Sequence, residues 1–597
     1  MSKLKLALLG SAALMAVTSW GAYEMDFKLR PPLALIEDGS TARLRASDME
    51  YCFQAKQKSW SKPEARASWD DCQRYLHGYG ALEEFNTDFG VTHGFGFGAA
   101  AAFAVLLWTA SRETPPPKHV RGPRLLRGRV ARSDLGGKLR RERHQSGDGI
   151  DLLPGIGMSR DRESRHVMIT GGVGSGKTQM MRHLIVGAVN RGDHVLVLDT
   201  KGDMTRGLPS DIVLLAPQDE RSAAWAVAED CVTKQDARGL AARFIPKSDD
   251  PMWSEAARSI LVTCIVSLQA ERPGKWTWAD LYSRAIMEPE ILKRLADKHH
   301  PAVSQILADP TSKTAMSILT TFKAHLPTIE ALADAWGSKG DRAFPVSKWL
   351  QETEGTVPIV LQRDGRYPEL SNAWISGLIS LLASYVSSSA LEESNERRVW
   401  LFLDEFPQLE RMDEFATLLD LGRSKGVCVV LSAQDTAQIR ARYGRDRTNA
   451  WVSMVGTHIV TRMAVGEGAD DVSRALGMEE IEVSVPTQSY SEGRYSRSTS
   501  RQTTIRPVMT ASEIASELGP RQNDLRVLIV GVGQNYHVVD VPYCRFEDER
   551  NPHQPASWTQ ASGKLSKPGI PDGEQTVGLL SDVDIAAILN KKKRKPD

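Results

Sequence analysis

The sequence predicts an α/β architecture with an inserted all-α segment, preceded by a two-helix membrane anchor. Three observations carry this expectation. Short apolar runs alternate with helical stretches between residues 166 and 215, and strand-like runs return between 357 and 532, the pattern of strands joined by crossover helices. Between the two, from about Thr233 to Trp349, the pattern turns helical, as in ARGLAARF, SEAARSILVTCIVSLQA and SKTAMSILTTFKAHL. Ahead of everything stand two charge-poor apolar stretches, 4–23 and 94–110.

A chain of 597 residues is too long for one ordinary core. Its 41% hydrophobic and 25% charged content is that of globular protein, and a net charge of +1 excludes no partner because local asymmetries cancel in it. The six cysteines show neither CxxC nor Cys/His ligand spacing, which argues against a zinc site.

Leu4–Tyr23 is apolar apart from Lys5, Ser11, Thr18 and Ser19. The region that follows its apolar part, TSWGAYEM, lacks a convincing small-x-small cleavage site, so an uncleaved helix is favoured over a signal peptide. Gly94–Ala110 carries no charge over 17 residues. Extended back to Val91 it approaches the roughly 20 residues of a membrane span, with a buried soluble helix as the alternative. Between Arg112 and Arg143 stand 11 basic residues against Glu113, Asp134 and Glu142. Basic flanks at the start of the first helix and the end of the second put both ends in the cytoplasm. Residues 1–111 then form the anchor (helices about 4–23 and 91–110), with 24–90 outside, which in a bacterium is the periplasm. There Cys52 and Cys72 either pair or remain free. The basic stretch itself suits anionic lipid, with DNA contact as a second possibility.

After the TPPPK hinge, HVMIT (166–170) reads as a strand, followed by a helix from about Thr178 to Val189. Further strands are read at His194–Leu198, Ile212–Leu215, Val357–Leu361, Val399–Leu403, Val427–Ser432, His458–Thr461 and Leu525–Val532. The α/β domain is therefore expected over 112–232 and 350–547, with an all-α domain inserted at 233–349. The polar stretch Pro486–Arg506 reads as a mobile loop. Residues 548–597 read as a flexible basic tail with a short helix at Val577–Leu589 and a KKKRK terminus that solvation alone explains.

The loop after the first of these strands is GGVGSGKT, residues 171–178. It fits G-x-x-x-x-G-K-[ST], and the chemistry needs each part of it. Gly171, Gly172, Val173, Gly174, Ser175 and Gly176 let backbone N–H groups wrap phosphates at a helix N-terminus. Lys177 reaches the β and γ phosphates of ATP, and the Thr178 hydroxyl ligates Mg²⁺. A chance match without strand and helix on either side is uncommon, so a P-loop ATPase is expected. The apolar run VWLFL (399–403) ends in Asp404 and Glu405, and a strand buried on both faces does not end in two acids without a partner for them. If it shares a parallel sheet with the glycine loop, Asp404 faces Mg²⁺ and Glu405 orients or deprotonates the attacking water. Arg423, in LGRSKG, has the character of an arginine finger acting on a neighbouring subunit. Gln434, in SAQD, stands where a γ-phosphate sensor would. Each of these two, alone, is more often a surface residue.

In their order, GGVGSGKT, HVLVLDTKGD, PMWSEAARSILV (251–262), LFLDEFPQL, LGRSKG, LSAQD and RPVMTASEIASEL (506–518) resemble the type IV coupling proteins of conjugation, the TraD/TraG-like group. The resemblance covers about residues 90–545. It implies a RecA-like, FtsK/HerA-type ATPase that forms a homo-hexamer on the inner membrane and uses ATP to link relaxase-bound DNA and relaxosome proteins to a type IV secretion channel. It carries Lys177, Thr178, Asp404, Glu405, Arg423 and Gln434 over to the family's roles, and it matches Trp253, Glu255 and Arg258 to a block of underived chemistry. The long outer loop with its cysteine pair and the short tail depart from the pattern, which puts tail contacts with the relaxosome in doubt. The competing readings are an FtsK-type chromosomal DNA translocase, a secretion-substrate receptor or scaffold without DNA pumping, and a vestigial ATPase serving as a structural ring. Intact Lys177, Asp404 and Glu405 argue against the last. Arg494, Arg497, Arg501, Arg506 and Lys425 are candidate DNA contacts, or residues of a flexible surface loop.

Overall fold

The computed structural model describes residues 29–35, 40–110, 117–209, 211–337, 342–352, 357–389, 391–409, 411–412, 415–491 and 494–560, with positions 17, 18, 20, 21, 23 and 24. The chain divides into two compact units.

The first unit comprises residues up to Lys118 together with Glu482–Thr503. It contains α1 (Ala46–Ser59), α2 (Arg66–Gly78) and α3 (Leu82–Ala110). Met49, Phe53, Leu76, Phe85 and Phe89 form its core. Cys52 and Cys72 are joined in a disulfide between α1 and α2, their Cα atoms 5.5 Å apart, which settles the choice between paired and free thiols. The 29 residues of α3 make a rod of about 43 Å, longer than the roughly 30 Å hydrocarbon layer. The anticipated segment 91–110 is its second part. The anticipated helix 4–23 lies outside the described residues except at 17, 18, 20, 21 and 23, and the tail helix 577–589 lies wholly outside them.

The second unit comprises His119–Ile481 and the chain from Thr504 onward. In chain order it opens with β1 (Leu125–Arg127), α4 (Gly128–Ser146), β2 (Asp148–Leu153) and β3 (Ile156–Ser159). Then come β4 (Val167–Thr170), α5 (Lys177–Arg191), β5 (His194–Asp199) and β6 (Val213–Leu215). The predicted helical stretch follows as α6 (Lys234–Phe244), α7 (Pro251–Glu271), α8 (Trp278–Ala285), α9 (Pro289–His299), α10 (Lys313–Ala324) and α11 (Leu326–Trp336). Thr233 and Thr277 begin α6 and α8 with full capping boxes, each hydroxyl accepting the N–H of an aspartate three residues on. The α/β pattern resumes with β7 (Ile359–Gln362), α12 (Pro368–Ser387), β8 (Val399–Leu403), β9 (Val427–Ala433) and β10 (Thr457–Val460). The long strands β11 (Met478–Ser491) and β12 (Arg494–Pro507), whose residues 482–503 belong to the first unit, precede β13 (Asp524–Val530) and β14 (Tyr536–Pro542).

The main sheet runs β1-β14-β13-β10-β4-β9-β8-β5-β7-β6. The seven strands from β10 to β6 are all parallel, and β13 and β14 extend the sheet antiparallel. Both faces are covered, as a parallel sheet requires. Strand β8 shows why its run is continuously apolar. Val399, Leu401 and Leu403 enter the core shared with the helical region, while Trp400 and Phe402 enter the core beneath α4 and α5. Among the described residues one helix, α12, is long and apolar enough to cross a bilayer. It is 78% buried within the protein and is a core helix, not part of the anticipated anchor.

The expectation of a mobile loop over Pro486–Arg506 is corrected: the segment lies in β11 and β12, neighbours in one small sheet. Thr, Tyr and Ile favour extended backbone whatever their polarity, and the absence of an apolar alternation hid the strands. The helix expected over 178–189 runs from Lys177 to Arg191.

Candidate nucleotide site

Strand β4 delivers the chain into the glycine loop and α5 takes it out. Every residue of β4 is buried, so the loop departs from a fixed point. At Gly176 the backbone has φ 95°, in the left-handed region where a side chain strains. At Gly171 the constraint is space. A Cβ there would lie 1.7 Å from Thr461 Oγ1 and 2.6 Å from Ser175 Oγ. Thr461 follows β10, the strand beside β4, and its hydroxyl donates to the Thr170 carbonyl (3.2 Å) and shares a hydrogen bond with the Ser175 hydroxyl (2.7 Å). The Gly171 N–H reaches the carbonyls of Ala433 (3.3 Å) and Gln434 (3.1 Å), and the Gly172 N–H that of Arg462 (2.8 Å). Neighbouring strands on both sides thus hold the loop open. Among the described residues, the N–H groups of Val173, Gly174, Gly176, Lys177 and Thr178 find no acceptor within the chain. Unpaired donors at the start of a 15-residue helix form a cradle for phosphate.

Lys177 is 6% exposed. Its ammonium donates to the carbonyls of Gly171 (2.8 Å) and Gly172 (3.2 Å) and lies 3.5 Å from Glu405 Oε1. Sheet register explains the meeting. Leu403 pairs with Leu431 and Ala433 with Thr170, so β8, β9 and β4 end along one carboxyl edge. Asp404 accepts hydrogen bonds from Ser432 Oγ (2.9 Å) and from the Glu405 N–H (3.1 Å). Glu405 has φ 50° and ψ 42°, a left-handed turn that costs a non-glycine residue on the order of 1–2 kcal/mol. Burial, and the adjacent Glu405 carboxylate with it, push the Asp404 carboxyl above its ordinary range, against the opposing pull of the Ser432 hydroxyl, Lys177 and Lys201. Two buried carboxylates facing one ammonium leave a deficit of positive charge. A hard dication removes that deficit, and the oxygen donors of Asp404 and Thr178 fit Mg²⁺.

Gln434 is half-buried just past β9, and its carbonyl receives the Gly171 N–H, so it joins this edge. Arg423 does not. It precedes β9 at the opposite edge, the length of a seven-residue strand away, about 20 Å at ~3.3 Å per residue, and it ion-pairs with Asp161 (2.8 Å). Of the 251–262 block, Arg258 donates to the Ile245 carbonyl (2.7 Å) and to Glu255 (2.6 Å), while Trp253 packs on the core. Arg506 donates to Glu479 (2.9 Å), Arg501 lies 3.8 Å from Glu482, and Lys425 donates to the Leu391 carbonyl. The side chains of Arg494 and Arg497 lie outside the described residues.

Three site residues escaped the sequence reading. Ser432 holds Asp404, Thr461 shapes the loop, and Asp199, at the end of β5, accepts from the N–H groups of Lys201, Gly202 and Thr205 to build the next turn. Only Asp199 carried a local signal, an acid closing an apolar strand ahead of TKGD. The other two depend on which strands lie side by side.

A family model, the type IV secretion-system coupling protein DNA-binding domain, matches residues 151–526. The chain is 25% identical over 358 residues to the coupling protein TraD of Escherichia coli K12, a match covering 58% of this chain and 48% of that one. It is 30% identical over 118 residues to the probable conjugal transfer protein TraG of Sinorhizobium fredii, covering 20% and 18%. The chain thus spans less than half the length of these relatives. Among solved structures it resembles the plasmid coupling protein TrwB in complex with ADP and Mg²⁺, with a TM-score of 0.57 at 22% identity over 74% of this chain and 99% of that one. An unbound form of the bacterial conjugative coupling protein TrwB lacking its N-terminus gives 0.57 at 23% over 73% and 96%. The fold is the RecA-like one that these structures share.

Proposed function

The chain belongs to the type IV secretion-system coupling proteins, and from that premise we propose that it is an inner-membrane ATPase that joins relaxase-bound DNA to a type IV secretion channel and drives conjugative transfer. The observation that carries this reading is the convergence of Lys177, Asp404 and Glu405 at one sheet edge, beside a loop with unpaired N–H donors. The substrate is ATP. The free donors of 173–178 bind its phosphates, and Lys177, released from the Gly171 and Gly172 carbonyls, turns to the β and γ oxygens. Asp404 and Thr178 would hold Mg²⁺, which supplies positive charge to those oxygens when bound. Glu405 orients and deprotonates the attacking water, and the Gln434 side chain senses the γ-phosphate from the strand end whose main-chain carbonyl holds the Gly171 N–H.

Arg423 lies at the far edge from its own loop, so it serves a nucleotide on another copy, in keeping with a homo-hexameric ring. Residues 1–111 anchor the ring as a multi-pass segment, with 91–110 as one span and 4–23 as the other. The Cys52–Cys72 disulfide suits a periplasmic position for 24–90. The motor is 112–232 with 350–547, the inserted all-α domain is 233–349, and 548–597 is a basic tail.

The test is the ATPase rate of the full chain in neutral detergent, with and without single- and double-stranded DNA. A rate that rises with DNA, falls with salt, and is lost in Lys177→Ala and Glu405→Gln supports a DNA motor. Turnover indifferent to both DNA forms points to the substrate-receptor reading.

A further inference from the structure

Helix α4 carries a groove that the nucleotide site does not use. The helix and the turn between β2 and β3 flank an open groove of about 500 Å³, lined by Arg129, Arg132 and Arg140 with Gly136, Gly137 and Gly155 among them. The spacing 129, 132, 136, 140 puts these positions on one helix face. Arg129 and Arg140 are exposed and have no ion-pair partner among the described residues, and Arg132 donates to the Pro154 carbonyl (2.5 Å). The acids of α4 are engaged elsewhere. Asp134 is held by Lys138 (3.0 Å) and His537 (2.8 Å), and Glu142 by Arg162 (2.6 Å). No carboxylate lines the groove itself, and Asp151, on β2 beside it, accepts from the Gly155 N–H (2.9 Å).

The two glycines are the second observation. Consecutive glycines inside a 19-residue helix weaken it. A Cβ added at Gly136 or Gly137 would meet nothing within 4 Å, so no packing within the chain asks for them. What they leave is bare backbone between arginines, where a group from outside can come close.

We propose that this groove binds the phosphodiester headgroup of an anionic phospholipid. The choice of lipid over nucleic acid rests on the membrane reading of α3 given above. Ala110 ends the charge-free stretch, and α4 begins soon after it in the chain, at Gly128. The arginines of the groove favour an anionic leaflet.

The full chain in neutral detergent is titrated with fluorescent short-chain phosphatidylglycerol, phosphatidylcholine, inorganic phosphate and a single-stranded oligonucleotide. Phosphatidylglycerol is expected to bind at least tenfold more tightly than phosphatidylcholine. Arg129→Gln with Arg140→Gln should weaken it about 25-fold, at about fivefold per charge. Gly136→Ala with Gly137→Ala should raise the thermal unfolding midpoint, since alanine is the better helix former, and still weaken phosphatidylglycerol several-fold. Equal binding of the two lipids, or an alanine pair that stabilises without loss of lipid, overturns the proposal. So does competition by inorganic phosphate at the affinity of the lipid, or an arginine pair that costs oligonucleotide affinity alone. Incorporation into neutral phosphatidylcholine nanodiscs tests the anchor separately, because it fails for every variant alike if α3 does not span.

Discussion

Replacing Gly171 with alanine probes how the phosphate loop is held open. The new Cβ would stand 1.7 Å from Thr461 Oγ1. Real Cβ atoms stay at or beyond 3.0 Å, so the gap must widen by about 1.3 Å. Thr461 cannot swing away freely, because its hydroxyl bonds both Thr170 and Ser175. Overpacking of this kind costs about 1–3 kcal/mol, and rupture of the threonine bonds adds about 1 kcal/mol. Thr461→Ala alone should cost about 1–2 kcal/mol through the same lost bonds. It leaves the Thr461 Cβ at a tight but admissible 3.0 Å from the alanine methyl group. In the double variant the clash with the Thr461 hydroxyl is gone and the bonds are lost once rather than twice; the contact that remains, 2.6 Å to Ser175 Oγ, is with a hydroxyl freed of its Thr461 partner and able to turn aside. Its cost should be about 2 kcal/mol where simple addition gives about 4, a coupling of about 2 kcal/mol. Denaturant unfolding and binding of a fluorescent ATP analogue, measured on wild type, both single variants and the double, read this out. Gly171→Ala should lose nucleotide, and the double variant should regain part of it. Additivity within about 0.5 kcal/mol, or no recovery of binding, refutes the account of Thr461 as the wall of the loop.

Glu405→Gln should keep nucleotide affinity and lower turnover by about 10²–10⁴-fold; unchanged turnover removes Glu405 from the chemistry. An Arg423→Ala preparation mixed with a Lys177→Ala preparation should recover ATPase activity, since each copy supplies what its neighbour lacks, and mixtures as inactive as their components sink the trans role. His166 accepts from the Val429 N–H (3.1 Å), contacts the Leu419 carbonyl (2.8 Å), and is held by burial at about 4. It is therefore neutral in the fold and protonates more readily unfolded. Its contribution of roughly 3 kcal/mol is whole above pH ~6.5 and disappears as pH falls toward 4; His458, also held by burial at about 4, acts in the same direction. Denaturation midpoints between pH 7.5 and 4.5 should fall accordingly, and a His166→Asn variant with an undiminished slope contradicts this. Reducing the Cys52–Cys72 bridge, which closes a 20-residue separation, should destabilise the first unit by about 3 kcal/mol, seen as faster proteolysis of 40–90 with ATPase activity intact; proteolysis unchanged by reductant argues against the bridge.

What could be read from the sequence was what local chemistry dictates. Apolar runs such as VWLFL and VCVVL announce strands because both sheet faces bury them, and GGVGSGKT announces its turn because few other residues can make it. Asp404 and Glu405 were legible for the same reason, since acids closing a buried strand need a partner. The strands β11 and β12 were not, because a run of Ser, Thr, Tyr and Arg carries no apolar period. Ser432 and Thr461 lay out of reach for a different reason: their importance comes from β9 and β10 flanking β4, and residues 432 and 461 are far along the chain from residue 171. Arg423 shows the converse limit. Its distance in sequence from Asp404 gave no hint that the two stand at opposite edges of the sheet.

Strand β9 joins those edges. All seven of its residues are buried, and β4 and β8 clamp it in parallel from either side. One end touches the phosphate loop through Gln434 and Asp404 through Ser432, and just before the other end stands Arg423. Such a strand has no joint along its length. With Arg423 serving another copy as proposed, a push at the Gln434 end would be carried along β9 toward that copy, as by a piston rod whose two heads work in different cylinders.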